Sequence, residues 1–315
     1  MMKIDVIILV TKKNLDVLKI MLPYCNRNIL NKGQLRIISK KDNEAEINSI
    51  CPGSFYDEDT VLPGLTYLHV QEIIEKLGGD IGKTGWYFQQ FLKLAWAYQY
   101  VEDDYIVIDA DTIPLSELSF IDSNGKYIFT KKTEFNKPYF DTIENLFCGK
   151  VKRVGNYSFV AEHMIFSSLI VKEMLNQIMN NTTLCGDNFY EKILEAVGAQ
   201  NLKQSGFSEF ETYGNYIMTY YPEKCVIKSY RTQREAVYIL GDSPSDAQLK
   251  WANESYDIIS IEVPGYGPTI ITLLTKSPLF RAIFSMRNLS RFRYLLRRKY
   301  RRLIRKKDFI IEENL

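Results

Sequence analysis

The chain has 315 residues, 46% of them hydrophobic and 25% charged, a globular composition that excludes disordered and collagen-like classes. Its five cysteines (Cys25, Cys51, Cys148, Cys185 and Cys225) show no CxxC spacing, so they indicate neither a disulfide framework nor a zinc site and fit a reducing cytosol. The net charge of +2 hides an asymmetry: residues 281–307 hold twelve of the 40 Lys and Arg and no acid, leaving 28 basic and 35 acidic residues in 1–280, a net of −7 that argues against a general nucleic-acid binder.

Residues 4–10 read as a buried strand, too short for a signal-peptide core or a membrane span, and no other stretch reaches spanning length. A helix over about 14–24 and a strand at Leu35–Ser39 follow. Pro52-Gly53 and Pro63-Gly64 then break an acid-bearing stretch read as irregular. Residues 67–77 look helical up to Gly78-Gly79, and a stronger helix covers about 85–100. Strands follow at Tyr105–Ile108 and Lys126–Thr130. The alternation of strand and helix predicts an α/β, Rossmann-like, mainly parallel sheet flanked by helices. In the second half, a strand or turn near 159–166 leads to helices at 168–180, 187–197 and 209–219, then strands at 225–230 and 236–240. The charge shift near Pro278 divides a body, 1–278, from a basic tail, 279–315.

The tail predicts an amphipathic helix. Phe284, Leu289, Phe292, Leu295, Leu296, Tyr300, Leu303 and Ile304 recur at three- and four-residue steps with Arg between them. Such a helix suits an anionic membrane surface, met through 281–307.

The densest chemical signal is Tyr105-Ile106-Val107-Ile108-Asp109-Ala110-Asp111, an apolar strand ending in two carboxylates one residue apart. Ligands of open α/β sheets sit beyond the carboxyl ends of the strands. Asp109 and Asp111 there could hold Mn²⁺ or Mg²⁺ while a substrate diphosphate fills other positions, as a nucleotide-sugar site requires. A DxD triplet is weak by itself. Asp57-Glu58-Asp59 is read as a decoy in a loop with no strand before it.

On the helix from residue 85, Trp86, Gln89, Gln90, Lys93 and Ala97 share one arc, suited to sugar hydroxyls and phosphate or simply solvated. Phe88, Phe91, Leu92, Ala95 and Tyr98 form the opposite, core-facing arc. Thr11, Lys12 and Lys13 follow the first strand, where a nucleotide could be met. Ser208–Tyr216 is aromatic and acidic. Glu209 could be a general base for an acceptor hydroxyl, and Ser208 with Glu211 fits a helix capping box. Of the two histidines, His69 reads as structural, and His163, at a strand-to-helix junction, as an acceptor-side or metal group.

The same DxD could belong to a haloacid-dehalogenase-type phosphatase, because Gly241–Asp246 spells GDxxxD and would supply Asp242 and Asp246. Ile113 departs from that pattern, and about a hundred structured residues precede Asp109.

Taken together, Gly85–Gln90, Asp109-Ala110-Asp111, His163-Met164 and Phe207–Gly214 resemble a family of bacterial GT-A-like glycosyltransferases from surface-polysaccharide (capsule or O-antigen) gene clusters, over roughly residues 1–240. The resemblance implies a nucleoside-diphosphate-sugar donor, with UDP-hexose such as UDP-galactose the family-based guess. It implies Mn²⁺ or Mg²⁺ on Asp109 and Asp111, and a polysaccharide or lipid-linked glycan acceptor. Donor contacts would come from Thr11, Lys12, Gly85, Trp86, Gln89, Gln90, Lys93 and Asp109. Acceptor contacts would come from His163, Glu209, Glu211 and Tyr213, with catalytic work falling to Glu209 and His163. The enzyme would act at the inner face of the cytoplasmic membrane. No His follows His163 to serve as a late metal ligand.

Overall fold

The computed structural model describes residues 3–100, 103–262 and 269–298. Its strands are β1 (Ile4–Leu9), β2 (Lys32–Ser39), β3 (Phe55–Asp57), β4 (Asp104–Ile108), β5 (Thr112–Pro114), β6 (Tyr127–Thr130), β7 (His163–Ser167), β8 (Cys225–Lys228), β9 (Thr232–Gln233) and β10 (Ile258–Ser260). The helices are α1 (Leu15–Asn28), α2 (Glu44–Ile50), α3 (Tyr67–Lys76), α4 (Thr84–Ala95), α5 (Lys137–Leu146), α6 (Ser168–Met179), α7 (Phe189–Leu202), α8 (Glu209–Tyr220), α9 (Val237–Leu240), α10 (Asp246–Ser255), α11 (Ile270–Leu274) and α12 (Pro278–Ile283). A further helix is described over 286–298.

The chain forms two compact units that are discontinuous in sequence. The first comprises Met1–Lys19, Ile29–Ala110 and Leu118–Ser229; the second comprises Ile20–Asn28, Asp111–Glu117 and Tyr230–Leu315. In the structure, α12 and the helix over 286–298 belong to the same unit as α9, α10 and β10.

The first unit is built on a five-stranded sheet in the order β3-β2-β1-β4-β7. The first four strands are parallel, and β7 runs antiparallel to β4 with His163 opposite Ile108. This is the mainly parallel α/β architecture expected. Parallel neighbours need crossovers, which is why helices alternate with β1 to β4. Val6, Ile7 and Ile8 on β1 and Ile106, Val107 and Ile108 on β4 are buried whichever face they occupy. Helices cover both faces of such a sheet, so its central strands read as unbroken apolar runs. A separate pair, β6 and β8, is parallel.

Helix α4 departs from the two-arc expectation. Gln90, Lys93 and Ala97 are buried along with the apolar arc, and Tyr98 is exposed. A helix that is buried nearly all round cannot present a solvated polar face. The acid-bearing stretch after Pro52 is not irregular throughout: Phe55–Asp57 forms β3, paired with β2 from Ile37–Phe55 to Ser39–Asp57. Helix α5 was likewise not anticipated.

The second unit carries a small sheet in the order β5-β10-β9, with β10 antiparallel to β5 and parallel to β9. Residues 236–240, expected as a strand, contain the short helix α9, with Val237, Ile239 and Leu240 buried. A short apolar run cannot be told from a buried helical turn by periodicity. Helix α10 is fixed by a capping box in which the Ser245 and Gln248 side-chain oxygens each accept the other residue's backbone N–H. The described part of the tail is helical; Tyr300, Leu303 and Ile304 lie outside the described residues.

Candidate active site

Two features lie at the carboxyl ends of the parallel strands of the first unit. The first is a buried charge network at the end of β4. Lys93 Nζ donates at 2.7 Å to Asp109 Oδ1 and at 2.7 Å to Glu209 Oε1. The Lys93 side chain is 6% exposed, that of Glu209 1% and that of Asp109 33%. Three elements bring these groups together: α4 supplies the ammonium, the first turn of α8 supplies Glu209, and β4 delivers Asp109. Tyr105 donates to the Lys93 carbonyl at 2.8 Å, and the Lys93 ammonium lies 4.5 Å from the centre of the Phe210 ring. With its amide turned to face the acid, Gln90 donates to both Glu209 oxygens.

Burial by itself lowers the Lys93 pKa. The Asp109 and Glu209 carboxylates outweigh it and raise the pKa, so Lys93 stands as an ammonium. Burial raises the Glu209 pKa, and the Lys93 ammonium works against that rise. Glu209, expected as a general base, is instead closed off: its oxygens face Lys93 and Gln90, and no acceptor hydroxyl reaches a side chain that is 1% exposed.

The other residues expected at the acceptor are also inside. Glu211 Oε2 accepts from Ser158 Oγ at 2.6 Å and from the Phe159 N–H at 3.0 Å, and Asn215 donates to Oε1 at 3.1 Å. Ser208 caps the Glu211 N–H at 3.3 Å, so half of the capping box forms while the Glu211 side chain fixes the 158–159 loop instead. Tyr213 is fully buried, and its hydroxyl accepts the Ser167 N–H at 2.9 Å. His163 is 3% exposed and shares a 2.9 Å hydrogen bond with Thr130 Oγ1. Burial first, then the Lys132 charge, lowers its pKa to about 3, so the imidazole is neutral at ordinary pH. In this arrangement none of these buried side chains is open to an acceptor.

The backbone beside Asp109 is strained. The Asp109 N–H donates to the Glu162 carbonyl at 2.9 Å, and Glu162 takes φ 58°, a left-handed conformation rare for such a residue. Its carboxylate is held by Lys132 at 3.0 Å.

The second feature is a cavity of about 410 Å³ at the ends of β1, β2 and β3. Thr11, Lys12 and Lys13 line it from the turn after β1, Lys40 and Asn43 from the segment after β2, and Glu58 from the turn after β3. Tyr67, Gly85, Phe88 and Gln89 close it from α3 and α4. The expected donor residues therefore divide. Thr11, Lys12, Gly85 and Gln89 line the cavity, whereas Gln90, Lys93 and Asp109 form the buried network. Trp86 does neither, and stacks on Tyr139 with the ring planes 10° apart and the centroids 6.5 Å apart. Sequence reasoning missed Glu58, Lys40 and Tyr67. The available signal was an acidic triplet directly after Phe55-Tyr56, a strand only three residues long.

Asp111 opens the second unit. Its carbonyl accepts the Ile261 N–H at 2.8 Å and its Oδ1 accepts from Thr112 Oγ1 at 3.3 Å. Among the described residues no three His, Cys, Asp or Glu side chains gather as a metal cage. Mg²⁺-type sites do not need one, because they use one or two carboxylates together with substrate phosphates and water. Asp109 fits that donor set: it is a hard oxygen ligand, partly exposed, with Lys93 on only one of its two oxygens.

The dehalogenase pattern does not survive folding. Gly241–Asp246 follows helix α9 where that motif needs a strand. Asp246 sits in the first turn of α10 and accepts from the Tyr24 hydroxyl at 3.3 Å.

No family model matches the chain, and no curated protein matches it. Among solved structures, the chain is similar to the apo form of mouse xyloside xylosyltransferase 1. The identity is 14%, the match covers 82% of this chain and 98% of that one, and the TM-score is 0.41.

Proposed function

We propose that this chain is a glycosyltransferase that moves a hexose from a nucleoside-diphosphate sugar, UDP-galactose or a related UDP-hexose, to a glycan or lipid-linked glycan of a surface polysaccharide. One observation carries the reading: a single unit holds both a cavity with basic residues at the ends of β1 to β3 and a partly exposed Asp109 carboxyl, paired with Lys93, at the end of β4. Lys12, Lys13 and Lys40 suit the phosphates of a nucleotide. Thr11 and Gln89 suit its hydroxyl and amide groups.

Asp109 and Asp111 would hold Mn²⁺ or Mg²⁺, and such a cation, when bound, neutralises charge on a departing nucleoside diphosphate. The chain's own contribution is preorganisation. Lys93 fixes the rotamer of Asp109, and Glu209 and Gln90 hold Lys93 in place. The strained Glu162 carbonyl anchors the Asp109 backbone.

Attachment to an anionic membrane surface at the inner face of the cytoplasmic membrane belongs to the same proposal. Ten large apolar side chains between Ile270 and Leu296 are exposed, and residues 281–298 add six arginines and no acid. Exposed apolar surface with a basic rim suits the headgroup region. Among the described residues no helix is long and apolar enough to cross a membrane.

The test is thermal stabilisation by UDP-galactose with and without Mn²⁺. A metal-dependent rise in Tm that is lost in Asp109→Asn is the expected result. Absence of stabilisation by any nucleotide sugar sinks the proposal. For the surface, sedimentation with phosphatidylglycerol vesicles but not with phosphatidylcholine vesicles is expected.

A further inference from the structure

With Glu209, Glu211, Tyr213 and His163 buried, the proposed transferase needs an acceptor surface elsewhere in its first unit. One cation there has no acid. The first unit holds two arginines. Arg36 pairs with Asp5 at 3.0 Å. Among the described residues no hydrogen bond or ion pair reaches the Arg153 guanidinium, and its Nε is buried without an acceptor. Aromatic rings hold it instead. Arg153 Cζ lies 4.8 Å from the centre of the Phe135 ring and 5.1 Å from that of Phe140, and these two rings stack with centroids 5.4 Å apart. Glu211 shares a field with Arg153, but its oxygens are taken by Ser158, Phe159 and Asn215.

The aromatic surface continues toward the cavity at the ends of β1 to β3. Tyr139 precedes Phe140 on α5 and stacks on Trp86. Trp86 follows Gly85 on α4 and stands three residues before Gln89, and both of these line the cavity. Residues three apart are neighbours on a helix surface. Trp86, Tyr139 and Arg153 are partly exposed, and Phe135 is 60% exposed. A pyranose ring can lay its C–H face on such side chains while its hydroxyls stay in contact with water or polar groups. A guanidinium seated on phenyl faces, with no acid of its own, keeps its planar fork for a bidentate anion. Residues 131–153 carry six Lys or Arg and three acids, in a body whose net charge over 1–280 is −7, so this segment is a local positive patch.

We propose that Trp86, Tyr139, Phe135 and Arg153 form the acceptor subsite and that the acceptor is an acidic glycan. Sugar rings lie on the three aromatic side chains, and Arg153 donates two N–H groups to a sugar carboxylate or phosphate. A neutral glycan gains the ring contacts but leaves Arg153 without its anion, so charge is what the subsite selects. The inference rests on the glycosyltransferase reading and adds to it the chemical class of the acceptor.

The experiment is calorimetric titration of the full chain with three tetrasaccharides of one linkage: β-1,4-linked tetraglucuronate, cellotetraose and cellotetraose 6-phosphate. Wild type binds one of the acidic probes at least about tenfold more tightly than cellotetraose, as expected for a charge-assisted bidentate contact. The tighter of the two identifies the acid as carboxylate or phosphate. Raising NaCl from about 0.05 to about 0.5 M removes most of the preference. Arg153→Gln binds acidic and neutral probes alike, and Arg153→Lys, with the charge but not the fork, keeps an intermediate preference. Trp86→Ala weakens all three probes by about threefold to tenfold, roughly the worth of one ring contact. Three results overturn the inference alone, provided that UDP-galactose with Mn²⁺ still stabilises the chain: equal binding of acidic and neutral probes by wild type, an acidic preference that survives in folded Arg153→Gln, or no binding of any probe. Arg153-dependent binding of an acidic probe by a chain that no nucleotide sugar stabilises instead overturns the transferase reading, and with it the subsite's role as an acceptor site.

Discussion

Asp57-Glu58-Asp59 and Asp109-Ala110-Asp111 look alike in sequence, and β3 and β4, the strands before them, are parallel members of one sheet. What surrounds the two acids differs. β4 has a neighbour on each side, and α4 and α8 close over its end, so Asp109 meets a buried ammonium that Glu209 balances. β3 is an edge strand, and Glu58 lines a cavity that Lys12, Lys13 and Lys40 also line. The lesson is that a strand's place in the sheet decides the chemistry of the acid at its tip. A central position yields an ion pair closed over by helices, and an edge position leaves the acid facing a cavity.

The largest expected effect is at the central acid. Asp109→Asn should cut sugar transfer by about 10²–10³-fold while leaving Tm nearly unchanged. A large fall in Tm would mean that Asp109 is structural and would erase the contrast with Glu58. Next, Lys93→Met leaves Glu209 buried without its counter-charge and should cost about 3–5 kcal/mol in urea denaturation. Lys93→Met with Glu209→Met should recover most of that loss, because an apolar pair of similar size can replace a buried ion pair. If the double variant is no better than the single one, the pair is not what holds α4 to α8.

A third test concerns His163, opposite Ile108 on the strand beside β4. His163 binds a proton near pH 6.5 when unfolded but only near pH 3 when folded. The unfolded state therefore takes up the proton first as pH falls. Stability present above pH 6.5 is lost progressively down to about pH 3, by up to about 4–5 kcal/mol. His163→Gln should flatten that slope. The smallest effect belongs to the edge acid. Glu58→Gln should change folding stability by no more than about 0.5 kcal/mol, as expected for a partly exposed side chain that anchors nothing. A larger cost would assign Glu58 to structure and erase its contrast with Asp109.

Much of the scaffold was legible because burial writes a simple code. The apolar runs at 4–10 and 105–108 could only be central strands, and Gly78-Gly79 could only stop a helix. Asp109 was legible because it ends such a run. The Lys93–Glu209 pair was not, since 116 residues separate its members and neither has a local signature. The polar arc of α4 misled because a helical wheel shows which residues share a face and not what covers that face; here α8 does. The 236–240 segment misled because four consecutive apolar residues satisfy a strand and a buried helical turn equally well.

By itself, the sequence determined the α/β alternation, the acid at the tip of a buried strand and the basic, apolar tail, because periodicity and charge are local properties. Only the tertiary structure decided which acid is clamped and which is open, that Glu209, Glu211, Tyr213 and His163 lie inside, and that an apparent decoy lines a cavity. Those outcomes depend on which distant element covers a given end of the sheet, and nothing in the neighbouring sequence encodes that.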